Sequence, residues 1–246
     1  MTLRKPCTIK DVHTGWCQGC GHGIVVRCIA EAAEQLGVSD RIVAVMDVAC
    51  GAFIESTVTY NYLGAAHGRP IIAAAGVKRV LKDDVVIAHA GDGSAYAIGI
   101  ESTIHAALRN ENILALVVNN CVFGMTGGQM SPTSIIGQRT TSTPSGRSAA
   151  KDGSPFDVVK TLRHFDIAYL SRGSVDSPQE VERTQSMIKK ALQKQLDKEG
   201  FCLVEVLSPC PTNWGTTPLN SLKKLREEIK HLFLVGEYID KGGQPV

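Results

Sequence analysis

Gly91-Asp92-Gly93 stands 25 residues ahead of Asn119-Asn120, and each group closes an apolar run. A carboxylate and a neutral amide oxygen are hard donors suited to Mg²⁺. Glycine on both sides of Asp92 lets the chain turn tightly, with amide groups facing an anion where the next helix starts. The interval holds one helix and one strand, which returns both donors to the same edge of a parallel sheet. A lone Gly-Asp-Gly is an ordinary turn. Its pairing with Asn-Asn at two strand ends points to a metal–diphosphate site. No GxGxxG or Walker-type phosphate loop occurs, which disfavours a nucleotide fold.

A second group of reactive side chains is sulfur. Cys17-x2-Cys20 lies within Trp16-Cys-Gln-Gly-Cys-Gly-His22. Two thiols at that spacing can chelate a metal or a cluster edge, form a redox dithiol, or supply half a zinc knuckle. A second CxxC is absent, so remote ligands are required. Cys50, after a strand, and Cys210, between two prolines, are the best remote pair. Four thiolates suit Zn²⁺ or a 4Fe-4S cluster equally well. Cys28 and Cys202 sit in apolar surroundings and read as packing residues.

The elements that position these residues follow from periodicity. Residues 24–36 read as a helix closed by Gly37, and 41–46 as a buried strand. Helix 71–80 leads to strand 84–89, and helix 96–109 to strand 113–118. Strand 166–170, helix 178–197, strand 201–206 and a last short helix near 221–230 repeat the pattern. Continuous apolar strands mean a sheet covered on both faces. The expectation is a doubly wound, mostly parallel α/β domain spanning 1–246, with a cluster-binding segment at about 1–22 and a short helical tail at about 215–246. Residues 47–69 read as loop. Residues 121–155 are rich in Gly, Ser and Thr; a connection that long beyond a strand's C-terminal end reads as part of a site.

Composition narrows the class. Net charge is +2 across 246 residues, which argues against nucleic-acid or membrane-surface binding. No apolar run is long enough for a transmembrane helix, and Met1–Thr14 has no signal-peptide core. A cytoplasmic location is expected, where eight cysteines serve metal or chemistry rather than disulfides.

Taken together, these motifs resemble the thiamine diphosphate enzymes, and most of all the β subunit of the 2-oxoacid:ferredoxin oxidoreductases. The likeness runs from about Trp16 to Trp214 and includes Gly124-Met-Thr126-Gly-Gly-Gln129. It implies that Asp92, Asn120 and the main-chain carbonyl of Val122 hold Mg²⁺ on the diphosphate, with Gly91, Gly93, Gly124 and Thr126 around it. It also implies that Cys17, Cys20, Cys50 and Cys210 ligate a 4Fe-4S cluster. His22 falls beside the cofactor, and His67-Gly68-Arg69 looks like a family segment that positions substrate or phosphate. An ordinary ion pair is an equal reading of Arg69.

The implied reaction is CoA-dependent oxidation of a 2-oxo acid to acyl-CoA and CO₂, with electrons passed to ferredoxin. The family's thiamine-activating glutamate comes from a companion α subunit, and none here matches it. No CxxCxxCxxxCP run is present either. The resemblance therefore implies γ and ferredoxin-like δ partners or an external ferredoxin. Phe53 occupies a position where 2-oxoglutarate-using relatives can place a cation. With GMTGGQMSPTS, IIGQRTTSTPSGR and CPTNWG, it favours 2-oxoisovalerate or a related branched-chain acid over 2-oxoglutarate or pyruvate. Ser94 stands where an acidic residue is expected, and Asp47-Val-Ala-Cys50 where a glycine is. A non-redox thiamine decarboxylase or carboligase, or a zinc-stabilised structural subunit, would keep only part of these features.

Overall fold

The computed structural model describes residues 4–242; the outermost limits of the expected domain, 1–3 and 243–246, lie outside the described residues. In chain order the main elements are α1 (His22–Gln35), β1 (Ile42–Asp47), α2 (Ile54–Thr57), β2 (Asn61–Ala65), α3 (Pro70–Val80), β3 (Val85–Gly91), α4 (Ile100–Leu108) and β4 (Leu114–Asn119). There follow α5 (Ala149–Asp152), α6 (Val158–Leu162), β5 (Tyr169–Ser174), α7 (Pro178–Leu196), β6 (Cys202–Leu207), α8 (Pro218–Lys224), α9 (Lys230–Leu232) and β7 (Gly236–Asp240).

The strands form one sheet in the order β2-β1-β3-β4-β6-β5-β7. All neighbours are parallel except β5 and β7, which pair antiparallel. Every residue of β1, β4, β5 and β6 is buried, as a sheet covered on both sides requires. Ile42, Ala44, Ile87, Leu116 and Val204 face a core closed by α1 and α7. Their neighbours Val43, Val45, Ala88, Val117 and Leu203 face the opposite core, closed by α3, α4 and α6. The fold is thus the α/β arrangement expected from the apolar runs.

Four regions depart from expectation. Within the stretch read as loop, β2 forms an edge strand whose first four residues are exposed, so no apolar pattern marks it. The strand expected at 166–170 lies at Tyr169–Ser174. Its second half is polar but buried because Arg172 pairs in register with Glu205 of β6 and bonds its carboxylate. The C-terminal region is not purely helical: α8, a π turn at Leu225–Ile229 and α9 lead into β7. Also, the helix expected at 96–109 begins as a π turn, Ser94–Ile98, before α4.

Candidate active site

The C-terminal ends of β1, β3, β4 and β6 meet along one edge, the usual place for a ligand in an open α/β sheet. Gly91 on β3 is in register with Val118 on β4, which sets Asp92 beside Asn119 and Asn120. One cleft there is lined by Gly91, Asp92, Gly93, Asn120, Val122 and Gly124, and also by His22, Asp47, Cys50 and His67. Cys121 has a φ of 58°, and this left-handed turn separates Asn120 from Val122. Asn119 Oδ1 accepts from the Cys121 amide at 3.1 Å, and Asn120 Oδ1 from the Val122 amide at 3.2 Å. Left-handed backbone at a non-glycine residue costs of order 1–3 kcal/mol and gathers at functional sites.

Asp92 is 1% exposed. Burial pushes its carboxyl up to about 6, against hydrogen bonds from Ser131, Thr133 and the Asn120 amide, and no cation among the described residues pairs with it. Thr133 Oγ1 donates to Asp92 Oδ2 and lies 3.0 Å from Asn119 Oδ1, so its one hydroxyl proton is shared between the two acceptors. Asn119 Nδ2 in turn donates to Glu205 Oε1 at 3.0 Å, and Glu205 is the buried partner of Arg172. A buried carboxylate with no counter-charge, next to a neutral amide oxygen, is a donor set that fits Mg²⁺. Glycine is required at 93, where a Cβ would come within 2.3 Å of the Phe123 ring. Gly91, Asp92, Gly93 and Gly124 could therefore cradle a diphosphate.

The 121–155 segment is not floppy. The buried Arg147 guanidinium donates to the carbonyls of Ser131, Pro132, Ser134, Asp152, Gly153 and Ser154, drawing both halves of the segment together. From the β6 side, Trp214 Nε1 donates to the Asn120 carbonyl at 3.1 Å and Asn213 Nδ2 to the Gly124 carbonyl at 3.0 Å.

A second cavity adjoins the cleft and is lined by Cys17, Cys20, Cys50 and Cys210, with Trp16 and Phe53. Burial pushes the Cys20 thiol to about 12 and the Cys50 thiol to about 11; in both, the other cysteines add repulsion, so the thiols lie within one another's fields. As they stand, no group of three or more His, Cys, Asp or Glu among the described residues is arranged to hold a metal ion. The soft donor set fits a cluster; the closed ligand geometry is not present. Phe53 meets Trp16 edge-on at 6.5 Å, and among the described residues no lysine or arginine lines the cavity.

His22 is buried, stacked 6.1 Å from Trp16, with its Nδ1 3.3 Å from His89 Nε2. Burial, then His89, lowers its pKa to about 3, so it is neutral at physiological pH. His67 sits at the cleft with Nδ1 3.2 Å from Asp47 Oδ1. Two candidates lie apart. Arg69 pairs with Glu101 and the Ile98 carbonyl and does not line the cleft. Thr126 is exposed, and its hydroxyl donates to Gln129 Oε1 at 2.6 Å. Sequence reading passed over His89, Thr133, Arg147 and Glu205, and met Asp47 only as a departure. A polar residue inside an apolar run, such as Glu205 or His89, was the available signal.

Residues 47–206 match the family model "Thiamine pyrophosphate enzyme, C-terminal TPP binding domain". The 2-oxoglutarate synthase subunit KorB of Methanocaldococcus jannaschii is 33% identical over 92% of this chain and 87% of its own length. The chain belongs to the thiamine diphosphate-binding subunits of the 2-oxoacid:ferredoxin oxidoreductases. The ketoisovalerate oxidoreductase subunit VorA of Methanothermobacter thermautotrophicus is 36% identical over 98% of this chain, which spans about half (53%) of that relative. Among solved structures, the 2-oxoglutarate:ferredoxin oxidoreductase of Magnetococcus marinus superposes with a TM-score of 0.78 at 22% identity, covering 100% of this chain and 88% of that one. That likeness establishes the fold: thiamine diphosphate-binding, α/β and mostly parallel. No helix of the described residues is long and apolar enough to cross a membrane.

Proposed function

We propose that this chain is the thiamine diphosphate-binding subunit of a CoA-acylating 2-oxoacid:ferredoxin oxidoreductase, built as one domain. The observation that carries the reading is the uncompensated buried carboxylate of Asp92 beside Asn120, with four cysteines around the adjoining cavity. Asp92, Asn120 and the Val122 carbonyl would hold Mg²⁺, while Gly91, Gly93 and Gly124 would surround the diphosphate. Cys17, Cys20, Cys50 and Cys210 would hold a 4Fe-4S cluster. Bound thiamine diphosphate supplies the electron sink for decarboxylation, and the cluster a one-electron acceptor.

This chain's own residues bind and orient. Thr133, Ser131 and the Asn120 amide fix the Asp92 carboxylate. Trp214 and Asn213 hold the 120–124 turn over the cleft. Neutral His22, between Trp16 and His89, walls the cofactor side and sheds no proton at physiological pH. The pyrimidine-activating glutamate, CoA site and distal electron carriers belong to α, γ and δ partners or to an external ferredoxin, in a cytoplasmic complex.

Two substrate readings have separate support. Relatives matched along most of their own length are 2-oxoglutarate synthase subunits, which puts 2-oxoglutarate ahead of the branched-chain preference read from sequence. A companion subunit would then supply the cation for its distal carboxylate. The branched-chain reading rests on Phe53 and the absence of any cation among the residues lining its cavity. Anaerobic co-purification with native partners, metal analysis and a 2-oxo acid panel with CoA and ferredoxin test both levels. Near four iron atoms per chain and CoA-dependent ferredoxin reduction are expected. Thiamine diphosphate without iron would indicate a non-redox enzyme; stoichiometric zinc without thiamine diphosphate would indicate a structural subunit. Activity of the isolated, cluster-loaded chain would contradict the need for partners.

A further inference from the structure

Asp47 ends β1 at the head of the cleft and is fully buried. Its two oxygens differ. Oδ1 faces the Gly68 amide at 3.3 Å and His67 Nδ1 at 3.2 Å. Oδ2 is buried with no hydrogen-bond partner. A backbone N–H only donates, so Oδ1 is an acceptor whether or not the carboxyl is ionised. Any proton that burial imposes on Asp47 belongs on Oδ2. The atom facing Oδ1 from the imidazole must then be a donor, so the neutral ring of His67 is the Nδ1–H tautomer, with Nε2 unprotonated.

The surroundings hold this arrangement in place. The Gly68 amide also reaches Ser94 Oγ at 3.2 Å, so the backbone after His67 is tied to both β1 and the turn after β3. Gly99 backs the same loop; a Cβ there would lie 2.1 Å from the Gly68 carbonyl oxygen. Phe123 meets the imidazole ring at 6.0 Å from the cleft side. The ring is 35% exposed, and Nε2 has no partner among the described residues.

We propose that Asp47 is a positioning residue that fixes His67 as the Nδ1–H tautomer and presents Nε2 to the cleft as an acceptor for an N–H or O–H group of bound cofactor or substrate. Asp47 never touches that ligand in this scheme; it acts through the imidazole, as buried carboxylates orient histidines elsewhere. The kinetic consequence rests on the thiamine-enzyme reading above, whereas the tautomer does not.

The test has two arms. In the full chain with ¹⁵N-labelled histidine at pH 8, long-range ¹H–¹⁵N spectra, assigned with His67→Gln, report the tautomer of His67 directly. The wild type should show protonated Nδ1 and unprotonated Nε2. Asp47→Asn should keep the tautomer, because the Gly68 amide holds its carbonyl oxygen where Oδ1 stood; Asp47→Ala removes the acceptor, so Nε2–H, the form a free neutral imidazole prefers, should become the main one. In the assembled complex Asp47→Ala should lose about 100-fold in kcat, the scale of a misplaced acid–base group, with KM within about threefold. A wild-type Nε2–H tautomer, an Asp47→Ala spectrum unchanged from wild type, or unchanged kcat in an inverted variant would each overturn the proposal. A wild-type complex with no oxidoreductase activity would refute the proposed function, and the spectra would still decide the tautomer.

Discussion

Asp92→Asn, in the cofactor-free chain, should stabilise the fold while destroying its site. Burial moves the Asp92 carboxyl from its ordinary value of 3.8 to about 6. Keeping it ionised inside the fold then costs about 3 kcal/mol above pH 6. Between these two values the folded state binds more protons than the unfolded state, so the wild type loses stability as pH rises from about 4 to 6. Asparagine carries no such cost. Its carbonyl can still accept from Thr133, and Ser131 can rotate its hydroxyl, but the Asn120 amide cannot turn away; one mismatched donor costs about 1 kcal/mol. The variant should gain roughly 2 kcal/mol at pH 8 and lose about 1 kcal/mol at pH 3.5, where only the mismatched donor counts. Urea denaturation of both chains across pH measures this, since ionisations common to both cancel. A variant less stable at pH 8, or a difference independent of pH, would refute the claim that Asp92 is an uncompensated buried charge.

Other outcomes follow from the same structure. Glu205→Gln leaves Arg172 buried with only Asp157 as an anionic partner and should cost about 3 kcal/mol in urea denaturation; a loss under 1 kcal/mol would remove the network from the account of stability. Gly99→Ala drives a Cβ into the Gly68 carbonyl and should cost about 2 kcal/mol, seen as a lower Tm. Replacing Cys17 and Cys20 together with Ser should lower the iron content of the complex by about four atoms per copy of this chain while thiamine diphosphate still binds; unchanged iron would exclude this pair as ligands.

The covered parallel sheet was legible because strands such as Ile42–Asp47 and Leu114–Asn119 are continuous runs that must be buried on both faces. That Asp92 and Asn120 meet at one cleft was legible because residue type, spacing and strand ends coincide. Two kinds of feature were not. The edge strand Asn61–Ala65 is largely exposed and β7 pairs antiparallel at the far edge, so neither carries an apolar signature. The second half of β5 is polar and held by an ion pair to β6, which only the register reveals. Thr133 reaches Asp92 across 41 positions, and Asp47 reaches His67 across 20. Such contacts depend on how a long segment closes, which local patterning does not encode. Arg69 and Thr126 were named from motif position alone, and the structure turns each toward a surface partner.

The most direct measurement is a calorimetric titration of thiamine diphosphate into the assembled complex, with and without Mg²⁺, for wild type and Asp92→Ala. Groups that merely support a metal ligand are worth 10–100-fold in metal affinity, so loss of a ligand should exceed about 100-fold. The expected result is tight binding by the wild type only when Mg²⁺ is present, and none detectable for the variant. Equal affinity in the two proteins, or binding indifferent to Mg²⁺, would contradict a metal–diphosphate site at the ends of β3 and β4.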